Sequence, residues 1–176
     1  MRRTIALAVV PLLGLFLCGC ATLVARHLPP GGLPQKTPAE YLRDLDVQMK
    51  GMLLEKSAFS AASMENGFTY ALRPDGIDFS YRKYLSILST DTRPVTTRCD
   101  FTDIGEVAVA EYSTRGGRAP NFSNEIPLGP RCGGLGLFSG SKEALLDIAQ
   151  TLLMLQQANG KAPGRPAGPP AGAQGI

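Results

Sequence analysis

Two cysteines, Cys18 and Cys20, stand one residue apart at the end of an apolar segment. Such a pair can ligate a metal, take part in redox exchange or carry a lipid. A structural zinc ion requires four ligands, and the single histidine, His27, lies in a Pro/Gly-rich stretch that cannot hold a tetrahedral site rigidly. The thioredoxin-like redox motif is Cys-x-x-Cys beside a βαβ unit, and this chain offers neither. Lipid attachment is therefore the favoured interpretation.

The residues before these cysteines have the pattern of an export signal. Arg2 and Arg3 give a basic start, and residues 5–17 carry no charge. This order of a basic segment and a short apolar segment is typical of a secretory signal peptide. The apolar run is shorter than the roughly 20 residues that a membrane-spanning helix needs.

The segment Leu17-Cys18-Gly19-Cys20 resembles the lipobox of bacterial lipoproteins. In that family a Leu at position −3 and a small residue at −1 precede the cysteine that is lipidated. The resemblance implies that residues 1–19 are a signal peptide and that Cys20 bears the acyl chains. Ala21 at position +2 implies the outer membrane in the enterobacterial sorting pattern. An ordinary signal peptide or an uncleaved anchor is the alternative.

The remaining cysteines are Cys99 and Cys132. In an exported protein, two leftover cysteines indicate one disulfide. Closing a loop of that span could stabilise the fold by about 3–4 kcal/mol in the chain-entropy model. Two free and buried thiols are the alternative.

Carboxylates occur in two groups: Asp75 with Asp78, and Asp100 with Asp103 and Glu106. Paired carboxylates can perform acid–base chemistry on sugars, but only with matched geometry and shifted pKa values. Aspartates in turns more often accept backbone hydrogen bonds. A calcium site over residues 100–106 is a further alternative, although the segment lacks the EF-hand pattern.

Composition excludes several other classes of function. The absence of histidine beyond residue 27 removes Ser-His-Asp and Cys-His nucleophilic arrangements. Without Arg2 and Arg3, the charges are 16 Lys and Arg against 15 Asp and Glu, and the basic residues are dispersed. A nucleic-acid-binding surface would cluster them. We therefore expect no nucleic-acid partner, no cofactor, no metal and no enzymatic activity.

The secondary-structure elements that position these residues are predicted from hydrophobic periodicity, helix caps and Pro/Gly-rich stretches. Residues 20–37 are rich in Pro and Gly and predict a tether, followed by one domain over residues 38–158. Thr37 and Glu40 form a capping-box pattern that begins a helix over residues 38–56. Ser141 caps a second helix over residues 142–158. Alternating apolar residues predict six or seven short strands, at 68–72, 77–81, 84–89, 94–99, 107–113, 122–129 and 132–138.

The predicted fold class is α+β, an antiparallel meander between an N-terminal helix and a capping C-terminal helix. Over roughly residues 62–158 this order is similar to pleckstrin-homology-like domains, in which the last helix plugs a small curved barrel. A plain α+β sandwich is the alternative. Residues 159–176 are expected to form a disordered tail, because they hold too little apolar surface to fold.

We expect a protein anchored to the membrane through Cys20, with a non-catalytic binding or assembly module facing the cell envelope. Its partner would be another envelope protein or a small apolar ligand. A lipid-binding domain is one alternative. A small envelope enzyme that acts on glycan or lipid with Asp100 and Asp103 is the other.

Overall fold

The structure is a computed structural model that describes residues 21–32, 34–56, 64–84, 91–114 and 124–161. The expected signal peptide, Cys18, Cys20, residues 162–176 of the expected tail and nearly all of the strand expected at 84–89 lie outside the described residues. Two α-helices, one 3₁₀ turn and eight strands are described: α1 (Pro38–Met49), α2 (Lys142–Ala158), η1 (Pro130–Cys132), β1 (Ala21–His27), β2 (Leu53–Lys56), β3 (Met64–Arg73), β4 (Gly76–Tyr84), β5 (Thr92–Asp100), β6 (Val109–Thr114), β7 (Asn124–Gly129) and β8 (Leu135–Ser139).

The strands form two antiparallel sheets, which confirms the predicted α+β class. One sheet has five strands in the order β1-β6-β7-β8-β2, and the other has three in the order β3-β4-β5. Among the described strands the two sheets do not close on each other. The barrel of a pleckstrin-homology-like domain is therefore not formed by these strands.

The three-stranded sheet begins with the predicted hairpin. Phe68 pairs with Tyr81 and Leu72 pairs with Ile77, on either side of a two-residue turn. Gly76 begins the second strand where a side chain would not fit, because a Cβ there would lie 2.4 Å from the carbonyl oxygen of Cys99. β5 then pairs along the whole of β4. Alternate residues of these strands are hydrophobic and face the same side of the sheet. Ile77 and Phe79 on that side are completely buried.

Helix α1 begins as predicted but ends earlier. Thr37 and Glu40 form the reciprocal capping box, and Pro38 occupies the first turn. The helix ends at Met49, because Gly51 adopts a φ of +88°, which favours glycine and breaks the helical path. The predicted continuation to residue 56 is therefore wrong, and Leu53–Lys56 pairs with β8 as a strand instead.

The first strand corrects the expectation of a tether over residues 20–37. Ala21–His27 pairs antiparallel with β6 and forms one edge of the five-stranded sheet. The prolines and glycines that prevent regular structure come only after Leu28, so the residues before it are free to join a ladder. The segment that connects β1 to α1 comprises residues 28–37. Its described residues, 28–32 and 34–37, lie in neither helix nor strand.

One hydrophobic core joins both sheets and both helices. Its largest completely buried side chains include Phe79, Phe101, Leu45 and Ile148. Helix α2 confirms the predicted bounds, and its N-cap Ser141 accepts a hydrogen bond from the Ala144 backbone at 3.2 Å. These buried side chains come from both helices, from β4 and from the turn after β5, which are distant in the chain, so the core fixes the sheets relative to each other.

Two further contacts hold the end of β5 and the segment that follows it. Cys99 of β5 and Cys132 of η1 form a disulfide with a Cα–Cα distance of 4.7 Å. The nearly buried Gln156 of α2 donates from Nε2 to the carbonyl oxygens of Phe101 at 3.0 Å and Ile104 at 2.9 Å. The disulfide links the three-stranded sheet to the connection between β7 and β8. The side-chain amide of Gln156 links the segment after β5 to α2.

Candidate functional site

The carboxylates that could do chemistry meet at one end of the three-stranded sheet, around Arg73. Its guanidinium donates from Nε to Asp78 at 3.0 Å, from Nη2 to Asp100 at 2.7 Å and from Nη1 to Asp75. The strand register brings these residues together, since Arg73 lies opposite Gly76, which in turn lies opposite Asp100. Two carboxylates from the hairpin and one from β5 therefore share one cation.

Arg98 completes this cluster from β5. It donates from Nη2 to Asp75 at 3.0 Å and from Nε to Asp100 at 3.0 Å. Hydrogen bonds from Arg73 and then from Arg98 lower the pKa of the Asp100 carboxyl below its ordinary value. A general acid needs a raised pKa, so the lowered pKa of Asp100 favours a structural ion-pair role for this carboxylate over acid catalysis.

The other two acids of the sequence group point elsewhere. Asp103 accepts from Nη1 of Arg131 at 3.0 Å, and Glu106 accepts from Nη1 of Arg26 at 2.9 Å. Asp100 and Asp103, the pair expected for an envelope enzyme, are thus held by different arginines. Each of the two is engaged in an ion pair of its own, so the structure does not bring them together as an acid–base pair.

An open depression lies elsewhere on the three-stranded sheet, with a volume of about 490 Å³. Apolar and hydroxyl-bearing side chains mix in its lining: Phe68, Thr69, Ser80, Tyr81, Arg82, Pro94, Val95 and Thr96. The Ser80 and Thr96 hydroxyls lie 3.3 Å apart across neighbouring strands, and Arg82 donates from Nε to the Thr92 hydroxyl at 2.8 Å. Such a shallow, mixed lining suits contact with another molecule, and sequence reasoning did not identify it.

A buried carboxylate in the five-stranded sheet was also missed. Glu125 of β7 is 0% exposed, beside Gly136 of β8, where a Cβ would lie 2.2 Å from its Oε1. Burial, and then the charge and hydrogen bond of Glu125, raise the pKa of Tyr112 to about 12. The only signal in the sequence is a Glu directly before the apolar residues of β7, and that pattern alone does not reveal burial.

The predicted lipidation site precedes the described residues by one position. Cys20 lies outside them, and Ala21 is the first residue of β1. Within the described ranges, no three or more His, Cys, Asp or Glu residues are placed to hold a metal ion. None of the helices in the described part of the chain has the length and apolar character needed to cross a membrane.

Comparison of the chain with models of known protein families, with curated proteins and with solved structures finds no match.

Proposed function

We propose that this protein is a lipoprotein of the bacterial cell envelope, anchored in the outer membrane through acyl chains on Cys20, with a non-catalytic binding or assembly module as its folded part. The lipobox-like segment before Cys20 supports the anchor. Several acyl chains hold a protein durably, whereas one chain alone binds reversibly.

One observation carries the non-catalytic part of this proposal. The clustered carboxylates are neutralised by Arg73 and Arg98, and the pKa of Asp100 is lowered rather than raised. The interior of the described domain is filled by side chains such as Phe79 and Phe101. These features favour a structural use of the acids over acid–base catalysis, and a packed interior over a lipid cavity.

The depression on the three-stranded sheet is the candidate binding surface. β5 stands at the edge of that sheet, so an extended segment of a partner could add beside it. The exposed Pro94 offers apolar contact and Ser80 and Thr96 offer hydroxyl groups, whereas Phe68 and Val95 are partly buried against the core. Mixed surfaces of this kind are typical of non-obligate protein interfaces. We therefore propose another envelope protein as the partner.

The test is crosslinking and capture of the full-length protein from its native envelope. Thr96→Lys places a long cation in the depression, whereas Thr102→Lys places it on an exposed turn as a matched control. We expect one partner to be recovered with the wild type and with Thr102→Lys, and to be lost with Thr96→Lys. Recovery that is equal in all three proteins would contradict the assignment of the depression.

The anchor and the absence of catalysis are tested separately. Intact mass of the mature protein should show acyl chains on Cys20, and Cys20→Ala should abolish both this added mass and membrane association. Purified protein should leave envelope glycan and phospholipid unchanged. Turnover of either substrate would overturn the non-catalytic proposal but would leave the proposed lipid anchor on Cys20 unaffected.

A further inference from the structure

Exposed apolar side chains are concentrated at one edge of the five-stranded sheet. Among the described residues, four large hydrophobic side chains are exposed, and three belong to β1 or follow it directly: Leu23 at 44%, Val24 at 59% and Leu28 at 54%. The fourth, Val47, lies on α1. Isolated apolar residues on a surface are ordinary, but this grouping within six positions is not scattered. We refer to Leu23, Val24 and Leu28 as the β1 edge.

The strand itself exposes these side chains. Among the described strands, β1 is the terminal strand of its sheet and pairs with β6 alone. The pairing shifts register between Leu23 and Ala25, so Val24 is an additional residue at a bulge. Bulges are common at sheet edges, where they turn the chain and redirect a side chain. A long exposed apolar edge would otherwise invite pairing with other chains.

The position of the lipidation site decides what this edge meets. Ala21 is the first residue of β1, and the Cα atoms of consecutive residues lie about 3.8 Å apart. A lipid on Cys20 therefore leaves no spacer between the acyl chains and the sheet. An edge held at this distance from the bilayer lies at the level of the lipid headgroups.

We propose that the β1 edge docks onto the surface of the phospholipid bilayer, so that the five-stranded sheet stands directly on the membrane. This proposal rests on the proposed lipidation of Cys20. Leu23, Val24 and Leu28 contact the boundary between headgroups and acyl chains.

The polar residues of β1 suit the same location. Arg26 is paired with Glu106 at 2.9 Å, and His27 is hydrogen-bonded to Glu111 at 2.8 Å. Lys142 also lies 3.9 Å from the Glu111 carboxylate, so each of the two carboxylates near β1 has a cation of the protein beside it. A second copy of this chain is the competing occupant, since an edge strand can also pair with its own equivalent.

The test uses the absence of tryptophan from the sequence, because one introduced Trp is then a unique probe. Full-length, lipidated Val24→Trp and Leu28→Trp proteins are placed in vesicles of phosphatidylethanolamine and phosphatidylglycerol with brominated acyl chains, which quench fluorescence on contact. Val47→Trp is the matched control, because Val47 is 66% exposed on a helix whose neighbouring Asp46 contacts Tyr70 of the other sheet. Two probes are used so that a misfolded variant does not decide the result.

We expect Val24→Trp and Leu28→Trp to lose most of their emission and to shift it to shorter wavelength, while Val47→Trp is unchanged. A lipidated, vesicle-bound protein in which the β1 probes match the Val47 control would overturn docking and leave the anchor standing. Unquenched probes in a protein that crosslinks to itself across β1 would assign the edge to a second copy. Missing acyl mass on Cys20 would instead refute the proposed function itself.

Discussion

The two sheets of this protein differ in how far apart along the chain their paired strands lie. In the three-stranded sheet, neighbours in space are neighbours in the chain, and β3, β4 and β5 pair in order. In the five-stranded sheet, both edge strands come from the N-terminal third of the chain and pair with strands from the second half. Local pairing costs less chain entropy than distant pairing. The larger sheet therefore depends more on additional links, such as the disulfide and helix α2.

The largest test of this difference removes the covalent link. In a Cys99→Ala/Cys132→Ala variant we expect the free energy of unfolding to fall by about 3–4 kcal/mol, because the unfolded chain regains the freedom of a loop between these residues. Urea denaturation followed by circular dichroism measures this loss. Reductant should destabilise the wild type but have no effect on the variant, and equal midpoints for the two proteins would contradict the prediction.

The next test disturbs the three-stranded sheet alone. Gly76→Ala should lower the free energy of unfolding by about 2–3 kcal/mol, as expected for overpacking against rigid neighbours. The added Cβ would meet the backbone of Cys99 and Asp100, at 2.4 Å and 2.8 Å. Gly140→Ala is the control, because nothing lies within 4 Å of its Cβ position. Similar urea midpoints for the two variants would show that the hairpin can yield at this position.

A third test separates α2 from the connection between the sheets. Gln156→Met keeps the side-chain size but leaves the carbonyl oxygen of Phe101 without its amide donor, whereas that of Ile104 keeps the Lys161 ammonium. Removing the donor from buried acceptors costs about 1–3 kcal/mol, and we expect about 2 kcal/mol. Gln157→Met on the same helix is the matched control. Amide hydrogen exchange should also speed up at residues 101–105, and unchanged protection there would contradict the assigned role.

The smallest effect concerns the arginine–aspartate cluster. The lowered pKa of Asp100 means that its ion pairs stabilise the fold above about pH 4, the ordinary pKa of Asp in an unfolded chain, and that this stability is lost as pH falls through the lower folded value. The pairs are partly exposed, so we expect at most about 1 kcal/mol. Thermal unfolding should lose more stability between neutral and acid pH in the wild type than in Asp100→Asn. Parallel profiles would show that the cluster contributes nothing to folding.

The range of contacts also explains how much of the fold the sequence could predict. The hairpin of β3 and β4, the start of α1 and the bounds of α2 depend on alternation, turn residues and caps, which act over a few positions. β1 and β2 are short and pair with distant strands, so no local pattern identifies them. Residues 21–27 consequently resembled the start of a tether, and residues 53–56 resembled the end of a helix.

The same reasoning applies to the candidate sites. The sequence places Asp75 with Asp78 in one group and Asp100 in another, and only the register of β4 and β5 shows that Arg73 and Arg98 hold all three together. The depression and the β1 edge are properties of assembled surfaces. Their residues look ordinary in the sequence because exposure depends on which strand occupies the edge of a sheet.

The pairing of β1 with β6 also affects the order in which the strands can pair during synthesis of the chain. The side chains of His27 and Glu111, which hydrogen-bond in the folded protein, are 84 positions apart. A chain that is synthesised from its amino end releases β1 long before β6, and it likewise releases β2 long before β8. The three-stranded sheet can form as soon as Asp100 has emerged, whereas the strand nearest the expected anchor remains without a partner until Thr114 has emerged. During that interval β1 is an unpaired apolar segment, which is the kind of surface that chaperones protect.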